Sequence, residues 1–309
     1  MDLPGGGSGP DVTRRMAGHA GAVLAVTLNA NGAYCLTAGK DRTVRLWNPS
    51  KGVLVKTYSN AHAHEVRDVC CSVDNSRIAS CGGDRQVFLC DVATGRTLRK
   101  FKGHDVAPVN AVRFGASDTV LVSGGYDAAL RIWDCRSQSP EPIQVLRNFK
   151  DSVTSVIIND AEVIAASVDG GIRTFDVRTG EMVEDAFGGS PVTCVSLSHD
   201  SQCMLAGILD DSIALLDKAS GELLARYEGH RNSQLKIGSC FTHDDALVVS
   251  GSEDGKVFFW DLVEGNVVHS FTADPDGAVS ALAWHPEGDF LLTSSTKGDV
   301  CVWKPPRTG

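Results

Sequence analysis

The sequence predicts an all-β chain of seven repeated units, each made of four short strands. Three observations carry this reading. A tryptophan, or a residue in its place, recurs just before an Asp or Asn at Trp47, Cys90, Trp133, Phe175, Leu216 and Trp260, and Trp303 before Lys304 ends the series. The steps are 43, 43, 42, 41, 44 and 43 residues, so the units fill almost all of the 309-residue chain. Six residues before these positions stand Asp41, Asp84, Asp127, Asp169, Asp210, Asp254 and Lys297. Ten residues before them stand Thr37, Ser80, Ser123, Ala165, Ala206, Ser250 and Thr293. Finally, the apolar runs are short, rich in β-branched residues and bounded by many of the 32 glycines, which suits strands and turns and not helices.

Taken in order, residues 1–10 (MDLPGGGSGP) read as a flexible Gly-rich tail, and residues 11–309 as a single domain. Val12 to Met16 is a spare extended segment ahead of the first unit. Within a unit the strands are well seen in the sixth, at roughly 235–241, 246–250, 256–261 and 266–271. Asp254-Gly255, and Asp169-Gly170 in the fourth unit, mark tight turns that need positive φ between the second and third strands. Asp74, Asp200 and Asp244 fall in turns between strands.

The totals exclude several classes. A formal charge of −9 argues against direct nucleic-acid binding, which needs clustered Lys and Arg. The N-terminus lacks the basic and apolar regions of a secretion signal, and no window offers about 18 consecutive apolar residues for a membrane span. The ten cysteines form no CxxC pair, so they read as free thiols that behave as small apolar residues. His62 and His64 make an HxH with no third ligand, and there is no phosphate-binding glycine loop. No cofactor or metal is expected.

Gly18-His19, Gly103-His104 and Gly229-His230 open units, and Trp133-Asp134 and Trp260-Asp261 close them. With a period of 40–45 residues, the chain resembles the WD40 β-propeller family over residues 11–304. Seven units imply a seven-bladed propeller. In that family each repeat supplies the outer strand of one blade and three strands of the next. The chain stops soon after the third strand of its last unit, so Val12 to Met16 is expected to complete the last blade.

Serine, histidine and aspartate are the ingredients of a hydrolase triad, but here the trio appears three or four times, with Thr in place of Ser in the first unit. The resemblance implies instead a hydrogen-bonded tetrad inside a blade. The expected sets are His19, Thr37, Asp41 and Trp47; His104, Ser123, Asp127 and Trp133; and His230, Ser250, Asp254 and Trp260. In the second unit Cys90 replaces Trp and shortens the chain of bonds. The fourth, fifth and seventh units lack the His and are expected to rely on apolar packing. No catalytic residue is assigned, and the protein is expected not to be an enzyme.

Some stretches are more particular: YDAALRIWDCRSQSPEP (126–142), LLDKASGELLARYEGHRN (215–232) and SGSEDGKVFFWDLVEG (250–265). They are similar to the mitogen-activated protein kinase organizer family of WD-repeat proteins. That resemblance implies a scaffold for kinase-cascade components, a spliceosomal association in pre-mRNA splicing, and a place in both cytoplasm and nucleus. A monomer within larger complexes is the expected state. The family's upper, partner-binding face maps here to Lys40, Glu65, Arg67, Asn110, Tyr126 and Glu253. A rival reading is a substrate receptor of a cullin-RING ubiquitin ligase, because Trp133, Asp134 and Arg136 fit a WDxR adaptor box, with Phe175-Asp176-Val177-Arg178 a weaker copy.

Overall fold

The computed structural model describes residues 12–104 and 106–304; the tail expected at 1–10 lies outside them. Among the described residues there are seven four-stranded antiparallel sheets and no helix. The first strand of each sheet touches the first strands of its two neighbours, which closes the ring around a central channel. These innermost strands are Val23–Leu28, Val66–Cys71, Val109–Phe114, Val153–Asn159, Val192–Leu197, Ser239–Phe241 and Val279–Trp284. The fold is a seven-bladed β-propeller.

Val12–Met16 pairs antiparallel with Val300–Trp303 and forms the outer strand of blade 7. Without it the last strand would present an open edge. Met16 is 1% exposed and packs with Val23, Trp47 and Val300, so the two ends of the chain share one core between blades 7 and 1.

The turn after the tetrad-position residue, Lys297 in blade 7 and Asp elsewhere, shares one backbone feature in every blade. The next residue has positive φ at Arg42, Arg85, Ala128, Gly170, Asp211, Gly255 and Gly298. Glycine meets this need freely, and the four non-glycine residues show how firmly the blade imposes the turn.

A second ring of turns lies on the lower face, between first and second strands. Positive φ recurs there at Gly32, Asn75, Asp118, Asp160, Ser201, Asp245 and Gly288. Several of these reach back to the preceding blade. Asn29 donates to Asn75 at 2.9 Å, the Val73 amide to Asp118 at 2.8 Å, and the His199 amide to Asp245 at 2.8 Å. At Gly32 a Cβ would lie 2.0 Å from the ring of His285, so glycine is required for close approach as well as for φ.

Six inner strands begin with a valine that is at most 1% exposed: Val23, Val66, Val109, Val153, Val192 and Val279. In blade 6 the register Ser239 with Ser250 puts Lys236 at this position. An ammonium group cannot take a place between two apolar sheets without strong desolvation. The strand therefore shortens to Ser239–Phe241, against the expected 235–241, and residues before it leave the sheet. Lys236 Nζ instead donates to the carbonyl of Thr154 at 2.7 Å and lies 3.4 Å from that of Asn110, on the far side of the channel.

Candidate functional site

In blades 1 and 3 the four tetrad residues lie within hydrogen-bond distance. Trp47 Nε1 donates to Thr37 Oγ1 at 2.9 Å, which meets His19 Nε2 at 2.7 Å, and His19 Nδ1 meets Asp41 at 2.8 Å. Trp133 Nε1 donates to Ser123 Oγ at 2.9 Å, Ser123 Oγ meets His104 Nε2 at 2.9 Å, and His104 Nδ1 meets Asp127 at 3.0 Å. A consistent set of donors runs one way: indole to hydroxyl, hydroxyl to imidazole, imidazole N–H to carboxylate. This requires neutral histidine. Burial favours that form and lowers the pKa of His19 against the opposing pull of Asp41. Burial alone would raise the Asp41 carboxyl, but hydrogen bonds from Thr43 and His19 hold it below its ordinary value.

In blade 2 His62 bridges Asp84 at 2.9 Å and Ser80 at 2.8 Å, and Cys90 turns to Thr97 at 3.8 Å. The chain of bonds stops one residue short, as the replacement of Trp requires.

The set expected in blade 6 is not formed. Trp260 Nε1 donates to the Glu228 carbonyl at 2.9 Å, and Ser250 Oγ donates to the Gly251 carbonyl at 3.0 Å. Asp254 faces Lys256 at 3.7 Å, and both ring nitrogens of His230 are buried without a hydrogen-bond partner. The cause lies in the loop ahead of the inner strand. His230 to Ser250 spans 20 residues, against 18 from His19 to Thr37, and the extra length belongs to the segment displaced by Lys236. His230 sits instead edge-on to Trp260, with ring centroids 5.3 Å apart, and 6.5 Å from Phe258. Burial depresses its pKa to about 4. The same geometry removes the hydrolase reading of Ser250, His230 and Asp254.

The blades without histidine do not rest on apolar packing alone. Asp169 pairs with Arg173 at 2.9 Å although that arginine is 2% exposed. Arg45 and Arg131 hold the equivalent place beside Asp41 and Asp127. The signal was available as an arginine four residues after the turn Asp. Trp303 Nε1 still reaches Thr293 Oγ1 at 2.8 Å in blade 7.

On the upper face, four of the six expected partner-binding residues meet in one cluster across blades 2 and 3. Arg67 Nε and Nη2 donate to Glu65 Oε1 at 3.1 and 2.8 Å, and Nη1 donates to Asn110 Oδ1 at 2.8 Å. The guanidinium lies 5.0 Å from the centre of the Tyr126 ring, a cation–π distance. Tyr126 is 53% exposed. Lys40 is exposed on the blade 1 turn.

Two of the six are corrected. Asn110 is buried, and its amide donates to the Val153 carbonyl at 2.8 Å, so it ties blade 3 to blade 4 and supports Arg67 from beneath. Glu253 is taken up internally. Its Oε1 accepts the amides of Ser233, Gln234 and Leu235 at 2.9, 2.6 and 2.8 Å. Three successive amides around one carboxylate form an anion nest, which fixes the displaced loop of blade 6.

Trp133 is fully buried within its tetrad, whereas the Asp134–Arg136 pair of the WDxR box is at the surface, with the arginine side chain 72% exposed. His62 is held in blade 2 and His64 is exposed; among the described residues no group of three metal-ligating side chains is present. All ten cysteines are free.

The chain matches the family described as WD domain, G-beta repeat over residues 11–48, 52–91, 95–134, 221–261 and 265–304. The unmatched stretch holds units 4 and 5, where Phe175, Leu216, Ala165 and Ala206 replace the tetrad types. The chain is 49% identical over 284 residues to WD repeat domain-containing protein 83 of Homo sapiens, covering 92% of this chain and 89% of that protein. It is 31% identical over 318 residues to a homolog of that protein in Dictyostelium discoideum, covering 93% and 96%. It is 38% identical over 279 residues to an uncharacterized WD repeat-containing protein of Schizosaccharomyces pombe, covering 90% and 93%.

Proposed function

Because this chain belongs to the WD domain, G-beta repeat family of propellers, we propose that it is a non-enzymatic scaffold that assembles multiprotein complexes, with Arg67 and Tyr126 as the anchor of one partner on the upper face. The observation that carries this reading is the preorganised cluster itself. Arg67 is held by Glu65 and Asn110, so little side-chain freedom remains to be lost on binding. It lies against a half-exposed tyrosine, and Tyr and Arg are enriched among residues that dominate interface energies. The Ser, Thr, His and Asp side chains that could have served catalysis are engaged as internal bracing in blades 1 to 3.

The finer reading is that the partners are kinase-cascade components, spliceosomal proteins or both, in cytoplasm and nucleus. It rests on the similarity of residues 126–142, 215–232 and 250–265 to the kinase-organizer family. Affinity purification with mass spectrometry tests it. The intact chain is expected to retain such proteins, and Arg67→Ala with Tyr126→Ala to lose at least one of them while still folding. An unchanged set of partners would remove the upper-face anchor. Recovery of a cullin-RING adaptor, lost on Arg136→Ala, would favour the receptor reading, for which the exposed Asp134–Arg136 pair is the supporting feature.

A further inference from the structure

Blade 3 departs from the repeat in the connection between its third and fourth strands. This runs over residues 135–143, against 49–52, 92–96, 177–181, 218–222 and 262–266 in blades 1, 2, 4, 5 and 6. The outer strand is correspondingly short, Gln144–Leu146, and pairs only with Leu130, Arg131 and Ile132. The extra residues leave their own blade and lie against the outer strand of blade 2, Thr97–Phe101. Arg99 on that strand donates to Gln138 Oε1 and to the Ser139 carbonyl, each at 3.0 Å, and also to the Ser137 carbonyl. The Lys102 amide donates to the Pro140 carbonyl at 3.0 Å.

This clasp holds a cation without an anion. The Arg99 guanidinium lies 5.8 Å from the centre of the Phe101 ring, and every oxygen it meets is neutral. Among the described residues it makes no ion pair. Arg45, Arg67, Arg113, Arg131 and Arg173 each meet a carboxylate. A guanidinium fork matches a carboxylate or a phosphate, and such bonds are about twice as strong as those to neutral oxygens.

The clasped loop also presents a serine followed by proline. Gln138, Ser139, Pro140 and Glu141 are all exposed. Proline keeps the residue before it extended, and no sheet pairing holds residues 137–142, so the segment can lift away without breaking a ladder. The Ser139 hydroxyl accepts the Glu141 amide at 3.2 Å and, among the described residues, donates to no protein atom. The chain has one other Ser-Pro pair, Ser190-Pro191. That pair is half-buried and pinned by its main chain, with the Leu209 amide on the Pro191 carbonyl at 2.9 Å and the Ser190 amide on the Phe187 carbonyl at 3.3 Å.

We propose that Ser139 is a phosphorylation site for a proline-directed serine kinase, and that the phosphate supplies the anion Arg99 lacks and latches the blade 3 loop to blade 2. In the transfer, Ser139 Oγ forms the new bond to the γ-phosphorus of ATP and the bond from that phosphorus to the bridging oxygen breaks. ADP leaves with the electron pair, and the hydroxyl proton passes to the base of the kinase. The product carries about −1.5 to −2 charge at neutral pH and three acceptor oxygens. Arg99 already touches the main chain of Ser139, so rotation of one side chain brings the phosphate to it. Asp134, the carboxylate at the start of the loop, is occupied by Arg136, and the Glu141 side chain is exposed to solvent. The site is independent of the Arg67–Tyr126 anchor, and either can fail without the other.

Incubation of the full chain with ATP, Mg²⁺ and a panel of purified proline-directed kinases tests both parts. Intact mass should rise by one phosphate, and peptide mapping should place it on Ser139. Ser139→Ala and Pro140→Ala should each abolish it with unchanged melts. Arg136→Ala should leave it, which separates these kinases from those that read an upstream arginine. Deuterium exchange of the Ser139 and Glu141 amides should slow by about fivefold or more in the phosphorylated parent, and not in phosphorylated Arg99→Gln. A Ser139 left unmodified by the whole panel would overturn the site, and a phosphate kept by Pro140→Ala would overturn the kinase class. Exchange that is unchanged or faster in the phosphorylated parent, or that slows equally in Arg99→Gln, would overturn the latch.

Discussion

The indole of Trp260 donates its hydrogen bond to the carbonyl of Glu228, at 2.9 Å. Glu228 ends the outer strand of blade 5, so this bond braces two neighbouring blades. Trp47 and Trp133 brace within their own blades. One tryptophan position in the repeat thus serves two structural purposes, and the difference follows from a loop two residues longer than that of blade 1.

The first prediction follows from this contrast. Asp127 accepts from His104 and pairs with Arg131, both nearly fully buried. Its removal would leave a buried cation and an imidazole unpaired, so Asp127→Ala should cost about 3 kcal/mol or more. Asp254 is partly exposed and meets only Lys256 and its own turn. Asp254→Ala should change stability by about 0.5 kcal/mol or less. Urea titrations of both variants check the contrast, and equal losses would restore a tetrad to blade 6.

Much of the fold was legible because the repeat states its own period. Every repeat unit could be placed from Trp, Asp and hydroxyl positions, whereas the closing strand followed from the family resemblance and the spare segment Val12–Met16. The site was less legible because residue type fixes a role only when spacing is kept. His230, Ser250, Asp254 and Trp260 carry all four tetrad types, yet Lys236 at a valine position pulls the loop away and separates them. Glu253 mapped to the partner-binding face because its true partners are main-chain amides, which a sequence does not display. The lower-face ring was legible in principle, since Gly32, Asn75, Asp118 and Gly288 share the repeat period, but it needs a register across blades to be read.

His230 gives a dependence on pH. Burial holds its folded pKa at about 4, below the ordinary 6.5. Between those values the unfolded chain binds the extra proton, so stability rises with pH across this window and is lost as pH falls from 6.5 towards 4. The full effect is on the order of 3 kcal/mol. Asp41, Asp84 and Asp127 are lowered carboxylates whose own loss comes at more acidic pH, below the ordinary 3.8. Unfolding free energies at steps between pH 7 and pH 4.5 should therefore slope in the parent chain and flatten in His230→Phe. His19, also lowered by burial, adds a slope of the same sign that the variant retains.

Closure of the ring should be a large term. Val12–Met16 supplies a strand pairing, the Thr13 hydroxyl bond to the Val302 carbonyl at 3.0 Å, and the buried Met16. Met16→Ala alone should cost about 2–5 kcal/mol as a core truncation. Deletion of residues 12–16 should lower the melting temperature by many degrees and expose the Val300–Trp303 edge to pairing with other chains. A deletion variant that melts like the parent and stays monomeric would mean that the strand contributes no closure.

The cysteines should be inert in the folded protein. Burial pushes the Cys35 and Cys240 thiols up to about 12 and Cys135 up to about 11, and the thiolate is the reactive form. Iodoacetamide at pH 8 should therefore label these three slowly in native buffer and rapidly in urea. Mass spectrometry of the labelled peptides reads the difference, and fast native labelling of Cys35 would contradict its burial between blades 7 and 1.

Glu253 should act on the loop it holds and not on partners directly. Its carboxylate gathers the Ser233, Gln234 and Leu235 amides, and hydrogen bonds to a charged acceptor contribute about 1.5–3 kcal/mol each in favourable settings. Partial exposure reduces this, so a loss of about 1 kcal/mol is expected for Glu253→Ala. The local effect should be sharper. Exchange of the three amides with deuterium should speed up by about tenfold, because opening no longer breaks the nest. Lys236 sits one residue further along the same segment, with its ammonium on the Thr154 carbonyl. If the nest is what carries Lys236 across the channel, exchange should also rise at the start of the blade 4 inner strand, Val153–Asn159. Faster exchange confined to residues 233–235 would show that Lys236 is anchored by its own carbonyl contacts.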